Sequence, residues 1–246
     1  MRPVLFQVGG WEIPSYPVML GAGALLLIVL GVYSAGRSGL RRHCVALVLV
    51  LGYLAGLVGA RSLYVLERLP EASDALGWLT SPAPGGFSLL GGFLFAMGAS
   101  VFSIRRMRLH AGTLLDSMAV PLCLFGAVGR LGCFLAGCCY GRPTSLPWGV
   151  VFPPGSDPAL RFGLGMSVHP TQLYEAALLL GTALILAVSA KAVTPAGGQF
   201  LRVAVVYLSG RFFLEWTRGA AAHSWLRLRD SQWICLALFL LVLATW

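Results

Sequence analysis

Charge is scarce in this 246-residue chain: 11% of its residues are charged, against 57% hydrophobic. A water-soluble globule with that balance would lack the polar surface to cover itself, so an ordinary soluble domain is excluded and the bilayer is the natural solvent. Lysine is nearly missing, with Lys191 standing alone against 17 arginines. A GC-rich coding sequence and the bidentate grip of guanidinium on phosphate both account for that bias. Six cysteines are too few and too scattered for a disulfide scaffold, and only Cys133, Cys138 and Cys139 cluster. No internal repeat or low-complexity tract is visible, which argues against an inverted-repeat transporter. Residues 1–10 lack the apolar core and small-residue cleavage site of a removable signal peptide, so the first apolar run is expected to stay.

What remains is a series of long apolar runs. They predict an all-α polytopic membrane protein of about seven transmembrane helices, at 16–34, 44–66, 87–104, 114–135, 171–190, 199–216 and 232–246, each near the roughly 20 residues that cross a bilayer. Residues 1–246 then form a single transmembrane domain. The net charge of +9 sits mostly in short loops, which points to membrane orientation and anionic lipid, not nucleic acid. Arg37, Arg41, Arg42, Arg105, Arg106, Arg108 and Lys191 fall in odd-numbered loops, while Glu67, Arg68, Glu71 and Asp74 fall in the second. The positive-inside rule therefore puts the N-terminus outside and the C-terminus in the cytoplasm. The loop at about 137–170, with Pro143, Pro147, Pro153, Pro154, Pro158, Trp148 and Phe152, is then an external structured segment or lid. Arg218, Arg227 and Arg229 lie on the side where the rule does not want them, which makes phosphate binding a reason for their presence.

Ionisable residues inside apolar runs are costly and face the protein interior, so Arg61, Asp116, Arg130, Glu175, Arg211, Glu215 and Arg218 are candidates for function. Arg211, Glu215 and Arg218 recur at helical spacing and share a face; if Arg211 and Glu215 pair, Arg218 is left for a ligand. Gly126, Gly129 and Gly132 surround Arg130 and let backbone or a head group approach it, the pattern of an anion site near a helix end. His169, Pro170, Thr171, Gln172, Leu173, Tyr174 and Glu175 open a helix with proline at its first position. Gln172 and Glu175 share a face of it. Cys133, Cys138 and Cys139 fit thiolate ligands, a nucleophile, a disulfide or small buried fillers, and their spacing is not a strong metal signature.

These residues, taken in order with Tyr16, Gly59-Ala60-Arg61, Tyr64, Gly91-Gly92, Pro121 and Ser231-Gln232, make the sequence resemble the bacterial prolipoprotein diacylglyceryl transferase family over nearly its whole length. The resemblance implies transfer of the diacylglyceryl group of phosphatidylglycerol to the lipobox cysteine of a prolipoprotein signal peptide, releasing glycerol phosphate, in the bacterial cytoplasmic membrane. Arg130, Arg218 and His169 would be catalytic, with both arginines holding the phosphate as charge develops on the leaving group. Tyr16, Arg61, Asp116, Gly129, Gly132, Gln172, Tyr174, Glu175, Arg211 and Glu215 would bind or shape the site for substrate, and membrane lipid would enter laterally. No metal or cofactor is implied, and none of the three clustered cysteines is required.

The pattern departs from the family at two places. A histidine common before the paired glycines is Leu90 here, and the Asn, Asn and Glu that follow the arginine signature are Cys133, Ala136 and Cys138. A lipid-binding or transport paralogue without transferase chemistry, a transferase with another acceptor, and a thiol-redox membrane protein are the competing expectations.

Overall fold

The computed structural model describes residues 2–9, 11–68, 86–189, 194–218, 224–225 and 228–245. Lys191, Glu71, Asp74 and Arg227 lie outside them. The long helices are α1 (Ser15–Arg37), α2 (Arg42–Glu67), α3 (Leu89–Arg106) and α4 (Ala111–Ala136), then α6 (Thr171–Ser189), α7 (Gly198–Leu214) and α8 (Asp230–Thr245). They fall on the seven expected spans, and a short α5 (Asp157–Phe162) precedes α6. Five of them, α1 to α4 and α6, are long and apolar enough to cross a membrane. The chain is thus a mostly helical, multi-pass membrane protein.

The remaining two helices are shorter than expected of spans, for different reasons. Arg202 and Arg211 interrupt the apolar run of α7, whose 17 residues are extended by a 3₁₀ turn, Glu215–Thr217. At about 1.5 Å per α-helical and 2 Å per 3₁₀ residue the composite reaches roughly 31 Å, enough for the hydrocarbon thickness. With 16 residues, α8 spans only about 24 Å.

Short strands absent from the sequence expectations accompany the helices. At the N-terminus, β1 (Val4–Val8) pairs antiparallel with β2 (Trp11–Pro14), with Val8 opposite Trp11. Gly9, directly after β1, takes φ +56°, the left-handed conformation that tight hairpins demand. Within the loop at 137–170, β3 (Val150–Val151) pairs with β4 (Ser167–Val168). Phe152 is buried there, edge-on to Phe134 of α4 at 6.2 Å and close to Tyr140. The Pro-rich loop is thus a packed element, in keeping with its aromatic content. A last hairpin joins β5 (Ser224–Trp225) to β6 (Leu228–Arg229).

The chain divides into two compact units, one of residues 1–27 and 118–246 and one of 28–117. In the second, α2 and α3 meet along facing small residues. A Cβ added at Gly59 would come within 2.6 Å of the Gly91 carbonyl, and one at Gly91 would strike Leu63 at the same distance. Larger residues are excluded there, and without a hydrophobic effect between helices in lipid this close van der Waals packing is what holds them together. Arg61 donates to the Gly86 carbonyl at 3.0 Å and lies over the rings of Tyr64 and Phe87. Asp116, in the same unit, is half-buried on α4, and Leu90, at the start of α3, is exposed.

In the first unit the packing centre is built from Cys123, Ala127, Ala176, Leu179 and Ala183, with Val203 and Tyr207 against it. Small residues on α4 and α6 let the helices approach, so that the polar residues one or two turns further along are brought together.

Candidate active site

Arg130 and Glu175 are separated by 45 residues yet meet at 2.8 Å, with the carboxylate buried. That carboxylate also accepts from the Tyr207 hydroxyl at 2.7 Å and faces the Arg211 Nε at 3.8 Å. Arg211 in turn pairs with Glu215, four residues on, as the helical spacing predicts. Glu215 is approached by Arg218 at 3.9 Å and by Arg229 at 3.4 Å. Among the described residues the result is a continuous network of four guanidiniums around two buried carboxylates. Two positive charges are in excess, where an unpaired buried charge would be heavily penalised.

The four arginines are not equivalent. Arg211 is 11% exposed in its side chain, whereas Arg130 and Arg218 are 25% and 22% exposed. Arg229, about as open, spends its guanidinium on the carbonyls of Glu215 and Arg218 at 3.2 and 3.1 Å. Arg211 and Arg229 are therefore framing groups. Arg130 and Arg218 are more accessible than Arg211, and Arg218 stands beyond hydrogen-bond reach of Glu215. An anion entering here meets bidentate donors backed by a buried counter-charge that fixes their orientation.

The second half of the site is tied together by backbone. Residues 141–142 run between the segments carrying His169 and Arg218. Gly141 N–H donates to the His169 carbonyl at 2.9 Å, His169 N–H to the Arg142 carbonyl at 3.0 Å, and Arg142 N–H to the Thr217 carbonyl at 2.9 Å. Gly141 also bridges Arg218 as a strand partner. A Cβ at Gly141 would meet the Thr217 oxygen at 2.5 Å and His169 Cβ at 2.6 Å, so this position admits glycine alone.

His169 is buried, with Nδ1 3.2 Å from the Tyr174 hydroxyl, which accepts from Trp148 Nε1 at 2.8 Å. Burial, and then the charge of Arg142, hold its imidazole below the usual pKa, so the neutral form prevails near pH 7 and one ring nitrogen can accept a proton. Gln172 is 1% exposed and donates to the Cys138 carbonyl at 2.7 Å, while Thr171 donates to the Cys139 carbonyl at the same distance. These bonds clamp the turn after α4 onto the start of α6.

Gly132 lies under Met19 and Tyr16, whose ring edge a Cβ would meet at 3.5 Å, so Tyr16 is seated against α4 at Gly132. Beside Gly129 a Cβ would meet nothing within 4 Å, which leaves room next to the Arg130 side of the helix. The unit thus brings together Tyr16, Gly129, Arg130, Gly132, His169, Gln172, Tyr174, Glu175, Arg211, Glu215 and Arg218. Arg61 and Asp116 belong to the other unit. Sequence reasoning had placed Arg229 only among candidate phosphate binders, had named Trp148 only as part of the loop's aromatic content and Gly141 only within the glycine-rich stretch that ends at Arg142, and had missed Tyr207. The signal for Tyr207 was a lone hydroxyl four residues before Arg211, too weak to single out.

The three cysteine sulfurs lie within 4.8 Å of one another. Hydrogen bonds from Cys133 and Cys138, followed by the charges of Arg130 and Arg218, hold the Cys139 thiol well below the usual range. The cluster therefore shares the electrostatic field of both partly exposed arginines.

The sequence model described as prolipoprotein diacylglyceryl transferase matches residues 3–246. A phosphatidylglycerol–prolipoprotein diacylglyceryl transferase of Clostridium tetani is 28% identical over 242 residues, covering 96% of this chain and 93% of its own. A counterpart of Geobacter sulfurreducens is 33% identical, covering 88% and 82%. The protein named transferase 2 of Streptomyces coelicolor is 31% identical, covering 91% and 74%. A match across almost every residue, together with relatives above 30% identity, means that this chain belongs to the prolipoprotein diacylglyceryl transferase family.

Proposed function

We propose that this protein transfers the diacylglyceryl group of phosphatidylglycerol to the lipobox cysteine thiol of a prolipoprotein, releasing glycerol phosphate, in the bacterial cytoplasmic membrane. The observation that carries the reading is the excess of two positive charges, among the described residues, in the network at Glu175 and Glu215, where Arg130 and Arg218 are partly exposed. A phosphodiester carries one negative charge, and the phosphate monoester that leaves carries up to two. A site with that surplus binds the leaving group more strongly than the substrate, which is what lowers a barrier. Arg130 and Arg218 act on the phosphate, Arg211, Glu175, Glu215 and Tyr207 position them, His169 with Tyr174 lines the polar entrance, and Gln172 holds the turn after α4. Tyr16 and the space beside Gly129 admit the head group. In this reading the N-terminus and the loop at 137–170 face outward, where precursor peptides emerge, and the C-terminus faces the cytoplasm.

Leu90, in place of the family's histidine, favours a second reading: a lipid-binding paralogue without transfer. One experiment separates the two. The chain is expressed in a bacterium depleted of its own transferase, and the N-terminus of a reporter lipoprotein is examined by mass spectrometry. Diacylglyceryl-modified cysteine is the expected product. Unmodified precursor, with phosphatidylglycerol still copurifying with the protein, would replace the transferase reading by the second.

A further inference from the structure

Three thiols converge where α4 ends. Cys133 is buried in the last turns of the helix, while Cys138 and Cys139 are half-buried in the turn that follows, and all three sulfurs fit within 4.8 Å. Cys139 achieves this at φ +62°, a left-handed conformation that costs a non-glycine residue free energy and persists only where surroundings hold it. The surroundings are explicit: the Thr171 and Gln172 side chains each grip a carbonyl of this turn at 2.7 Å. The sulfur cluster is therefore preorganised by α6 and by the backbone, not collected by chance from mobile side chains.

A second observation points to a ligand. Gln172 is 1% exposed, and the amide whose nitrogen grips Cys138 keeps its oxygen buried without a donor. A buried acceptor of that kind calls for a partner that the protein alone does not supply. Three thiolates at this spacing have a natural ligand in a thiophilic d¹⁰ cation. Tetrahedral zinc with bonds near 2.3 Å needs sulfurs roughly 3.8 Å apart, an inward movement of at most about an ångström. Three protein ligands leave one position open, the arrangement of catalytic and not of structural zinc. Arg130 lies one helical turn before Cys133, so its charge offsets the negative charge of a zinc trithiolate.

We propose that Cys133, Cys138 and Cys139 bind one Zn²⁺ whose fourth position takes the sulfur of the acceptor cysteine. The inference rests on the transferase reading, and it gives the acceptor thiol its activating group. On binding, the acceptor S–H releases its proton to solvent and remains as metal-bound thiolate. That sulfur attacks the glyceryl carbon bonded to phosphate oxygen. A carbon–sulfur bond forms as the carbon–oxygen bond breaks, and its electron pair leaves on the phosphate held by Arg130 and Arg218. A metal-bound water, or a peptide N–H of the acceptor, would give the Gln172 oxygen its missing donor.

The test uses the full chain in detergent, stripped with a chelator and reloaded with Co²⁺ or Zn²⁺, so that no variant has to fold. One equivalent of cobalt should give sulfur-to-cobalt charge-transfer absorption and tetrahedral d–d bands. The d–d bands should shift with a lipobox peptide carrying cysteine and stay put with the serine peptide. Stripping should lower transfer from phosphatidylglycerol by about 100-fold or more, and Zn²⁺ should restore it. Undiminished transfer by the stripped protein overturns the proposal and leaves the transferase reading standing. Absence of thiolate–cobalt absorption, or cobalt bands indifferent to the cysteine peptide, also overturns it. A cysteine-dependent band shift with no transfer by any form supports the metal site and removes the transferase reading instead.

Discussion

Removing the Arg130 guanidinium separates two roles that the network combines. Arg130→Ala deletes a charge-assisted hydrogen bond of 2.8 Å to a carboxylate only 5% exposed, and it also removes a partly exposed donor for phosphate. The structural loss is bounded, because Glu175 keeps the Tyr207 hydroxyl at 2.7 Å and Arg211 at 3.8 Å. One hydrogen bond to a charged group is worth about 1.5–3 kcal/mol. The chemical loss is that of a preorganised donor to a developing anion, about 100- to 1,000-fold in rate, or roughly 2.7–4 kcal/mol. The two are distinguished by adding Glu175→Gln to Arg130→Ala, which neutralises the carboxylate left with weaker support while keeping an acceptor for Tyr207. The expected outcome is that thermal stability in detergent recovers most of its loss in the double variant while transfer to a lipobox peptide stays down by at least 100-fold. Return of turnover together with stability would refute a direct contact between Arg130 and the phosphate, and would reduce it to a support for Glu175.

Arg218→Ala should cost a similar 100-fold or more in transfer with a smaller change in melting temperature, because its approach to Glu215 is 3.9 Å; Arg218→Lys should rescue only part of it, lacking the planar fork. The imidazole of His169 is held below its usual pKa, so between that folded value and about 6.5 the unfolded chain binds more protons than the folded one. Stability should accordingly rise with pH through that window and be flat above it, and thermal unfolding from pH 5 to 8 should lose this slope in His169→Gln. Leu90→His should change the transfer rate by less than about 10-fold; a gain of activity from none would mean that the native chain is inert. Gly141→Ala should abolish assembly of the site, read as loss of folded protein in membranes, because its methyl group meets the Thr217 oxygen and His169 Cβ at once.

The membrane character and the helix positions were legible because hydropathy is a local property: Ser15–Arg37 and Arg42–Glu67 extend the expected 16–34 and 44–66 only at their ends. So was the pairing of Arg211 with Glu215, which helical periodicity dictates. The pairing of Arg130 with Glu175 was not, since it depends on how α4 packs against α6, and no spacing rule reaches across 45 residues. Nor was the β1–β2 hairpin read, although two glycines between alternating residues are a turn signal in their own right. The cysteine cluster was visible as a cluster and uninformative as chemistry. Only the left-handed Cys139 and the grip of Thr171 and Gln172 bring the three sulfurs together.

The strand-like seam at Gly141 has a mechanical consequence. Its amide and that of Arg142 latch onto the His169 and Thr217 carbonyls, so the loop behind them cannot be drawn away without tugging on both segments. A peptide that wedges against this loop would therefore transmit its arrival to the arginine side by main-chain leverage, with no side-chain relay. Substrate docking and phosphate grip would be felt in concert, and the side chains of the loop would be free to vary between species while the linkage itself stayed intact.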